Sequence, residues 1–210
     1  MFGRAVVLLL LLWLGLPCSA AGFPPGVMGE VVTTRGDETL LAAARPAPQP
    51  LPRGQALYVG DEIRTGPYGA AAILFRDGTL MRLHRNSRLQ VGEVRDASVP
   101  QSRFRLLAGA VWARARSTFR TVTAGLQANR PTVLQMETPA ATIGIRGTDW
   151  HVAVDGAGKT TLTVLEGQID FGNPAGQLEI ASGEQGVAEP GKPPRKVVVV
   201  DLKGKPLLAV

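Results

Sequence analysis

The sequence predicts an all-β fold, an antiparallel jelly-roll-like sandwich with few or no helices. One observation is alternation: Trp150, Val152 and Val154 occupy every second position of one segment, which is typical of a half-buried strand. A second is that turns containing glycine separate such segments at short intervals. A third is that no long stretch keeps the 3.6-residue period of a helix.

Two hairpins are predicted most directly. Residues 68–84 hold two strand-like segments around Asp77-Gly78, and an Asp-Gly pair in that position is a strong hairpin signal. The alternating segment with Trp150 is followed, across a turn at residues 155–159, by a second strand at residues 161–171. Both patterns indicate antiparallel neighbours.

The remaining predicted strands are short and are bounded by turn residues. They are expected at residues 29–35, 55–59, 62–65 and 87–93, as a pair of strands around Gly109 within residues 103–116, and as an edge strand at residues 197–200. Residues 36–53 are predicted as one long Pro/Ala-rich loop with at most a helical turn, because prolines at alternating positions cannot join a central ladder. Residues 117–131 fit either a loop or a short helix.

The N-terminus has the build of a secretory signal peptide. Arg4 precedes an apolar run at residues 5–16 that is too short to span a bilayer comfortably, and Ala20 and Ala21 offer cleavage sites. A retained N-terminal anchor is the alternative. Removal of residues 1–21 would also remove the only cysteine. The signal peptide predicts a periplasmic or secreted protein, and loss of the cysteine predicts that this protein has no disulfides.

The rest of the chain is predicted to form one β domain over residues 22–189, followed by a proline-rich tail over residues 190–210. No apolar run after the signal peptide is long enough for a transmembrane helix. The domain organisation is therefore a signal peptide, one domain and a tail.

The chain is basic, with a formal net charge of +6. Much of the excess lies between Arg76 and Arg120, where ten arginines face only three acidic residues. The export signal argues against nucleic acid, and the arginines are not interleaved with aromatic residues on one regular face. The stretch is interpreted either as a solvated surface or as a contact for an anionic envelope surface or an acidic partner.

Side chains with metal or reaction chemistry are sparse. Asp149 and His151 are predicted to project outward, and two ligands without a third fall short of a metal site. No catalytic or cofactor-binding residue is predicted, although strand pairing could bring Glu166 near Asp149 and leaves a hydrolase as a weaker alternative. The guanidinium of Arg146 is predicted to pin the strand corner, and the alternative is that it anchors an acidic ligand.

An ordered series of motifs resembles the FecR domain family. It covers roughly residues 54–189 and consists of GDEIRTG at residues 60–66, AAAILF at 70–75 with DGT at 77–79, LAGAVW at 107–112, TPAA at 138–141, RGTDWHV at 146–152, VLEGQI at 164–169 and SGEQ at 182–185. The motif residues singled out, all with an expected structural role, are Gly60, Asp61, Thr65, Gly66, Asp77, Gly78, Thr138, Pro139, Arg146, Gly147, Thr148, Glu166 and Gly167.

The resemblance implies an exported, all-β, jelly-roll-like domain. In the founding members such a domain is the periplasmic part of a sigma-factor regulator, joined to a cytoplasmic segment, a transmembrane helix and a further C-terminal domain. This sequence begins directly with the signal peptide and ends about 20 residues after the domain. A free-standing envelope module is therefore expected.

The function predicted is binding without catalysis, with a protein partner in the cell envelope and a role in signalling or regulation. A cell-wall or carbohydrate-binding module is one alternative, and a sigma-factor regulatory component as in the founding members is another. No cofactor, metal or nucleic acid is expected, and the oligomeric state is left open.

Overall fold

The computed structural model describes residues 23–95, 101–114, 134–145 and 148–197. Within these ranges the chain forms seventeen strands and no helix, so the predicted all-β class is confirmed. The strands are β1 (Gly29–Arg35), β2 (Glu38–Ala42), β3 (Arg45–Pro50), β4 (Ala56–Leu57), β5 (Glu62–Thr65), β6 (Ala70–Phe75), β7 (Leu80–Leu83), β8 (Arg88–Val91), β9 (Ser102–Arg114), β10 (Leu134–Glu137), β11 (Thr142–Ile145), β12 (Asp149–Val154), β13 (Thr160–Glu166), β14 (Gln168–Asn173), β15 (Gly176–Ala181), β16 (Gln185–Ala188) and β17 (Arg195–Val197).

Hydrogen bonding joins these strands into one large mixed sheet, in which two runs of neighbouring strands meet at β9. The first run has the order β4-β1-β6-β7-β9-β12-β13-β16-β17. The second run has the order β3-β2-β5-β8-β9-β10-β11-β14-β15. All of these pairs are antiparallel except β9 with β10. Both predicted hairpins are present, as β6–β7 and β12–β13. The jelly-roll-like sandwich arrangement stays a prediction.

β9 belongs to both runs, and it passes from one to the other at Gly109. Its first half pairs with β8 and β10, and its second half pairs with β7 and β12. Gly109 has a φ of +80°, and a Cβ there would collide with the Cα of Ser87. Even-numbered residues such as Phe104 are buried before this point, and odd-numbered residues such as Val111 are buried after it. The predicted pair of strands is therefore one bent strand.

A second crossing occurs at Gly167, where the sequence predicts one uninterrupted strand. That prediction is wrong, because β13 ends at Glu166 in the first run and β14 begins at Gln168 in the second. Gly167 has a φ of +90°, which side chains rarely adopt. The buried positions again change phase across it, from Leu162 before the glycine to Ile169 after it.

The segment predicted as a long Pro/Ala-rich loop is a β-hairpin, so this prediction is also wrong. β2 and β3 pair antiparallel, with Leu40 opposite Gln49 and Thr39 opposite Pro50. β2 is the partner of β3 among the described strands, so β3 is an edge strand. Prolines at positions 46, 48 and 50 place nitrogens without a donor on one side of the strand. An edge strand tolerates this, and the prolines blunt its open side.

Side chains from both runs pack into a single hydrophobic cluster. Trp150 and Phe75 from the first run and Phe171 from the second are fully buried in it. Val152 and Val154 lie on the same buried face of β12 as Trp150, so the predicted core face of this strand is confirmed. Burial of each such side chain stabilises the fold by roughly 1.5–3 kcal/mol before entropic costs.

Several predictions fall on residues outside the described ranges. They concern the signal peptide with Ala20 and Ala21, the segment at residues 117–131, and Arg146 with Gly147. β17 pairs with β16 at the end of the first run, immediately before most of the predicted edge strand at residues 197–200. In the described part of the chain, no helix has the length and apolar character to cross a membrane.

Candidate functional site

Asp61 and Gly60 connect two turns of the fold. The carboxylate of Asp61 is buried and accepts backbone N–H groups from Ala43, at 3.0 Å, and from Tyr58, at 2.9 Å. Gly60 has a φ of +90°. Because Ala43 lies in the β2–β3 turn and Tyr58 follows β4, this single side chain fixes the two turns to each other.

Thr65 and Gly66 form a similar latch at the end of β5. The Thr65 hydroxyl donates to the carbonyl of His84 and accepts the N–H of Ser87 at 2.9 Å. Gly66 leaves space for the carboxylate of Asp37, which a Cβ at this position would strike. Both residues therefore serve close packing between loops.

Asp77 and Gly78 make the tight turn of the β6–β7 hairpin. Asp77 Oδ1 accepts the N–H of Thr79 at 2.9 Å, and Oδ2 accepts the hydroxyl of Ser102 at the start of β9. Gly78 has a φ of +82°. The carboxylate therefore links the hairpin turn to β9.

Thr138 and Pro139 close the turn between β10 and β11. Thr138 Oγ1 accepts the N–H of Ala141 at 3.0 Å and the hydroxyl of Thr160 at 2.8 Å. Pro139 is exposed and borders a surface groove. Thr138 is thus half-buried and hydrogen-bonded within the fold, whereas Pro139 is exposed.

The remaining motif residues lie around the corner between β11 and β12. Arg146 and Gly147 are outside the described ranges, so the proposed pinning role of Arg146 stays a prediction. Thr148 is buried, and its hydroxyl has no hydrogen-bond partner in the part of the chain that is described. Glu166 is exposed and stands opposite Asp149 across β12 and β13. The motif residues thus occupy separate turns and corners.

A cluster that the sequence analysis did not single out lies on the outer face of the first run, the face turned away from the hydrophobic cluster. We call Arg82, Trp112 and Arg114 the Arg–Trp platform. Trp112 and Arg114 point outward because Val111 and Ala113 point inward in this half of β9. Arg82 of β7 stands directly opposite Trp112.

Both guanidinium groups of the platform stand over the indole ring. The Cζ of Arg82 is 5.1 Å from the ring centroid of Trp112, and the Cζ of Arg114 is 5.8 Å from it. Such cation–π contacts contribute about 0.5–1 kcal/mol at exposed sites. Here, arginines and an aromatic residue do share a regular face, contrary to the sequence interpretation.

Asp149 stands beside the platform and holds Arg114 in place. Its Oδ2 accepts from Arg114 Nη2 at 2.8 Å and from Nε at 3.1 Å. Asp149 projects to the outer side of β12, as predicted, because it stands opposite the outward-facing Arg114 of β9, but its side chain is buried there. It is buried because the Arg114 guanidinium lies over the carboxylate.

His84 and His151 lie edge to face next to the platform. Their ring centroids are 5.5 Å apart and the planes meet at 87°. Burial lowers the pKa of both imidazoles, Arg85 lowers the pKa of His84 further, and His84 does the same for His151. Both rings are therefore neutral at neutral pH. No group of three or more His, Cys, Asp or Glu able to hold a metal occurs within the described ranges.

Several arginines of the second run form ion pairs with carboxylates, whereas Arg82 of the first run forms none with the described residues. Glu62 is bonded by Arg64 at 2.6 Å and by Arg88 at 2.9 Å. Burial alone would raise the pKa of Glu62, but the hydrogen bonds from Arg88 and Arg64 outweigh it and lower that pKa. Arg105 pairs with Glu137 at 2.9 Å in the same run. By contrast, Arg82 has no ion pair inside the described ranges.

The two carboxylates that the sequence suggested as a possible acid–base pair are neighbours on adjacent strands. Asp149 and Glu166 are opposite each other in β12 and β13. However, Arg114 engages the Asp149 carboxylate, while Glu166 is exposed. Neither residue lines the two surface concavities described below. The geometry therefore offers no water-excluded acid–base pair at this position.

The fold and these surfaces define an all-β module in which polar side chains connect the turns and one outer sheet face carries arginines and a tryptophan. The chain belongs to the FecR family, because the family model described as "FecR protein" matches residues 61–170, just over half of its length. The resemblance noted from the motifs is thereby confirmed.

Two crystal structures share the fold. They are described as a "putative anti-sigma factor" from Parabacteroides distasonis, at resolutions of 2.50 Å and 1.65 Å. Each matches with a TM-score of 0.51 and 13% sequence identity, over 65% of this chain and 59% of the other. The chain thus spans about three fifths of those structures. No curated protein matches it.

Proposed function

We propose that this protein is a non-catalytic regulatory module of the cell envelope that is exported by its N-terminal signal peptide and acts by binding a protein partner. Membership of the FecR family supports a regulatory role. The solved structures described as an anti-sigma factor point the same way, since such a factor works by contact with another protein. The Arg–Trp platform is the observation that carries the proposal.

The platform has the composition of a binding hot spot. Tryptophan and arginine are the residue types most enriched at such positions in protein interfaces. Trp112 is half-buried, so its ring is already ordered by its neighbours before a partner arrives. Ordering in advance lowers the entropic cost of binding.

The charge of the platform selects an acidic partner. Arg82 lacks an ion pair within the described ranges, and the only ion pair of Arg114 there is with Asp149. The whole chain carries a net charge of +6. Carboxylates on the partner would pair with these guanidinium groups, and the association should weaken as salt is added.

The experiment has two stages. A photocrosslinking residue at Thr163, which stands opposite His151 beside the platform, captures the partner in the cell envelope. The purified partner is then titrated against the wild type, Arg82→Ala, Trp112→Ala and the matched control Arg103→Ala. Arg103 is an exposed arginine of the same strand that lies in the second run. The two platform variants should each weaken binding at least about tenfold, and the control should not. Equal binding by all four proteins contradicts the proposal.

Export is tested separately by fractionation. The full chain should be recovered from the periplasm or medium in a form shortened by about 21 residues, and a chain that starts at residue 22 should stay in the cytosol. A full-length product that remains with the membrane after a salt wash would favour the retained anchor. An unshortened cytosolic product would contradict export.

A second candidate function is relay of a signal to a sigma factor, favoured by the fold shared with the anti-sigma factor structures. Deletion of the gene should then change transcription from promoters of one sigma factor. Expression of Trp112→Ala should fail to restore it, whereas Arg103→Ala should restore it. An unchanged transcription profile after the deletion rejects this candidate.

A further inference from the structure

A shallow concavity of about 460 Å³ lies on the outer face of the second run. It extends over β10, β11, β14 and β15 of the second run, whereas the Arg–Trp platform is on the first run. Its volume falls inside the range of roughly 300–1,000 Å³ that is usual for ligand sites. None of the turn-connecting side chains described above and no residue of the Arg–Trp platform lines this concavity.

The floor of the concavity is made by two glycines. Gly144 stands opposite Asp170, and Gly172 stands opposite Thr142, so the glycines are diagonal neighbours on adjacent strands. The opposite face of these strands is filled by buried residues such as Ile143 and Phe171. A Cβ at Gly172 would come within 3.0 Å of the carbonyl oxygen of Gly176. The missing side chains therefore open a hollow in an otherwise regular sheet face.

The walls of the hollow carry polar side chains that are free to bind. Gln135, Thr142 and Gln177 line it, and none of their side chains has a hydrogen-bond partner among the described residues. No lysine or arginine is among the lining residues, and Asp170 contributes a carboxylate to the lining. The site is therefore suited to a ligand with hydroxyl and amide groups and not to a phosphate or another anion.

A second concavity of about 560 Å³ continues from the first and adds an apolar surface. The two share Thr142, Asn173 and Pro174, and the second also has Pro139 and Pro190 in its wall. Proline rings present rigid apolar faces without donors. The two concavities together form an elongated groove with a polar half and an apolar half.

Asn173 fixes the geometry where the two halves join. Its Nδ2 donates to the carbonyl of Ala140 at 3.1 Å and to that of Lys192 at 2.7 Å, and its Oδ1 accepts the N–H of Ala175 at 2.9 Å. All three bonds are to backbone, so Asn173 ties the β14–β15 turn to the walls on both sides. The groove is thereby formed in advance of any ligand.

The location on a sheet face discriminates between ligand classes. A peptide bound as an added strand needs the open N–H and C=O groups of a sheet edge. Of the four strands under the groove, β10, β11 and β14 each pair on both sides, so their backbone groups are largely engaged, and β15 has an open edge as the last of the described strands in the second run. Recognition here must come from side chains. We infer that the groove binds an uncharged oligosaccharide with N-acetyl groups, with hydroxyls on the glutamines and acetyl methyl groups on the prolines.

The test uses tetramers of N-acetylglucosamine and of glucose as probes, titrated into the purified protein and followed by NMR and calorimetry. Gln135→Ala and Gln177→Ala should each weaken binding of the N-acetylglucosamine tetramer by about 2- to 12-fold, the equivalent of one hydrogen bond. The double variant should lose binding while melting like the wild type. Gln90→Ala, on the outer face of β8, is the matched control and should bind normally.

The expected result is preference for the N-acetylated tetramer, little dependence on salt, and shifted resonances confined to the groove. Absence of binding, equal affinity for both tetramers, or unchanged affinity in the double variant would each overturn the inference. The outcome is independent of the protein-binding proposal. Binding to a protein partner should depend on Arg82, Trp112 and salt, whereas glycan binding should depend on none of them.

Discussion

At the scale of single residues, Asp61 shows how a charged side chain can serve the interior of a fold. It is 3% exposed, and its two oxygens accept backbone N–H groups from two different turns. Asp61→Ala removes the buried carboxylate and leaves both backbone N–H groups without their acceptor. We expect the free energy of unfolding to fall by about 3 kcal/mol, as measured by urea denaturation.

A matched control is Asp155, which also accepts two backbone N–H groups, from Ala157 and Lys159. This turn is exposed, so water can replace the carboxylate. Asp155→Ala should cost less than about 1 kcal/mol. Equal losses for the two variants would mean that burial is not what makes Asp61 important.

The His84–His151 pair predicts a pH dependence of stability. Burial lowers both pKa values, so the unfolded chain takes up protons at a higher pH than the folded chain does. The stabilisation is complete above the ordinary histidine pKa and is lost as the pH falls below it. The free energy of unfolding should therefore decrease from about pH 7 to about pH 5.

The variant His84→Gln/His151→Gln isolates this contribution. Its unfolding free energy should vary less over the same pH interval, because glutamine does not titrate. Denaturation curves at several pH values provide the measurement. A wild-type slope that the double variant reproduces would assign the effect to other groups.

At the scale of elements, Gly109 decides whether β9 can join the two runs. It combines a φ of +80° with backbone atoms of Ser87 where a Cβ would lie. Gly109→Ala should lower the unfolding free energy by more than about 3 kcal/mol or prevent folding. Circular dichroism and urea denaturation would measure it.

Gly156 is the control for this substitution. Its added Cβ would meet no atom within 4 Å, and it has no positive φ. Gly156→Ala should change stability by no more than about 0.5 kcal/mol. If Gly109→Ala were equally harmless, the crossing would not need glycine.

The prolines of β3 act on association and contribute little to stability. Pro48→Thr/Pro50→Thr restores two backbone donors to an edge strand that pairs with β2 alone among the described strands. We expect dimers or larger species in sedimentation velocity, with a nearly unchanged melting temperature. Pro190→Thr, in an exposed loop, is the control, and its sedimentation should be the same as that of the wild type.

The errors of the sequence predictions have identifiable physical causes. Alternating prolines predict a loop because they cannot join a central ladder, but an edge strand such as β3 can accommodate them. Apolar residues continue on both sides of Gly167, which predicts one strand where β13 in fact ends and β14 begins. A change of phase did mark this point, since buried positions switch from even to odd numbers there. The same change surrounds Gly109 and could have identified both crossings.

The candidate site was harder to predict than the fold. Trp112 and Arg114 alternate with buried residues and could have been placed on an outer face, but Arg82 joins them only through the register of β7 with β9. Such register is a tertiary property. Likewise, Gly144 and Gly172 are 28 positions apart in the chain and adjoin only because β11 pairs with β14.

At the scale of the whole molecule, the two runs share one hydrophobic cluster, so neither half has a core of its own. We expect unfolding to be a single cooperative transition. Trp150, fully buried in the first run, provides a near-UV signal, and backbone circular dichroism reports on both runs. The two denaturation curves should coincide. Separate midpoints would show that the runs unfold independently.

The shared strand β9 also restricts how the chain can change length during evolution. Loss or gain of one residue before Gly109 would turn Phe104 toward solvent, and the same event after Gly109 would turn Trp112 into the interior. Insertions and deletions in β9 are therefore tolerable only in compensating pairs. Sequence drift in relatives should accumulate as substitutions at its outward positions, while its thirteen-residue span stays constant.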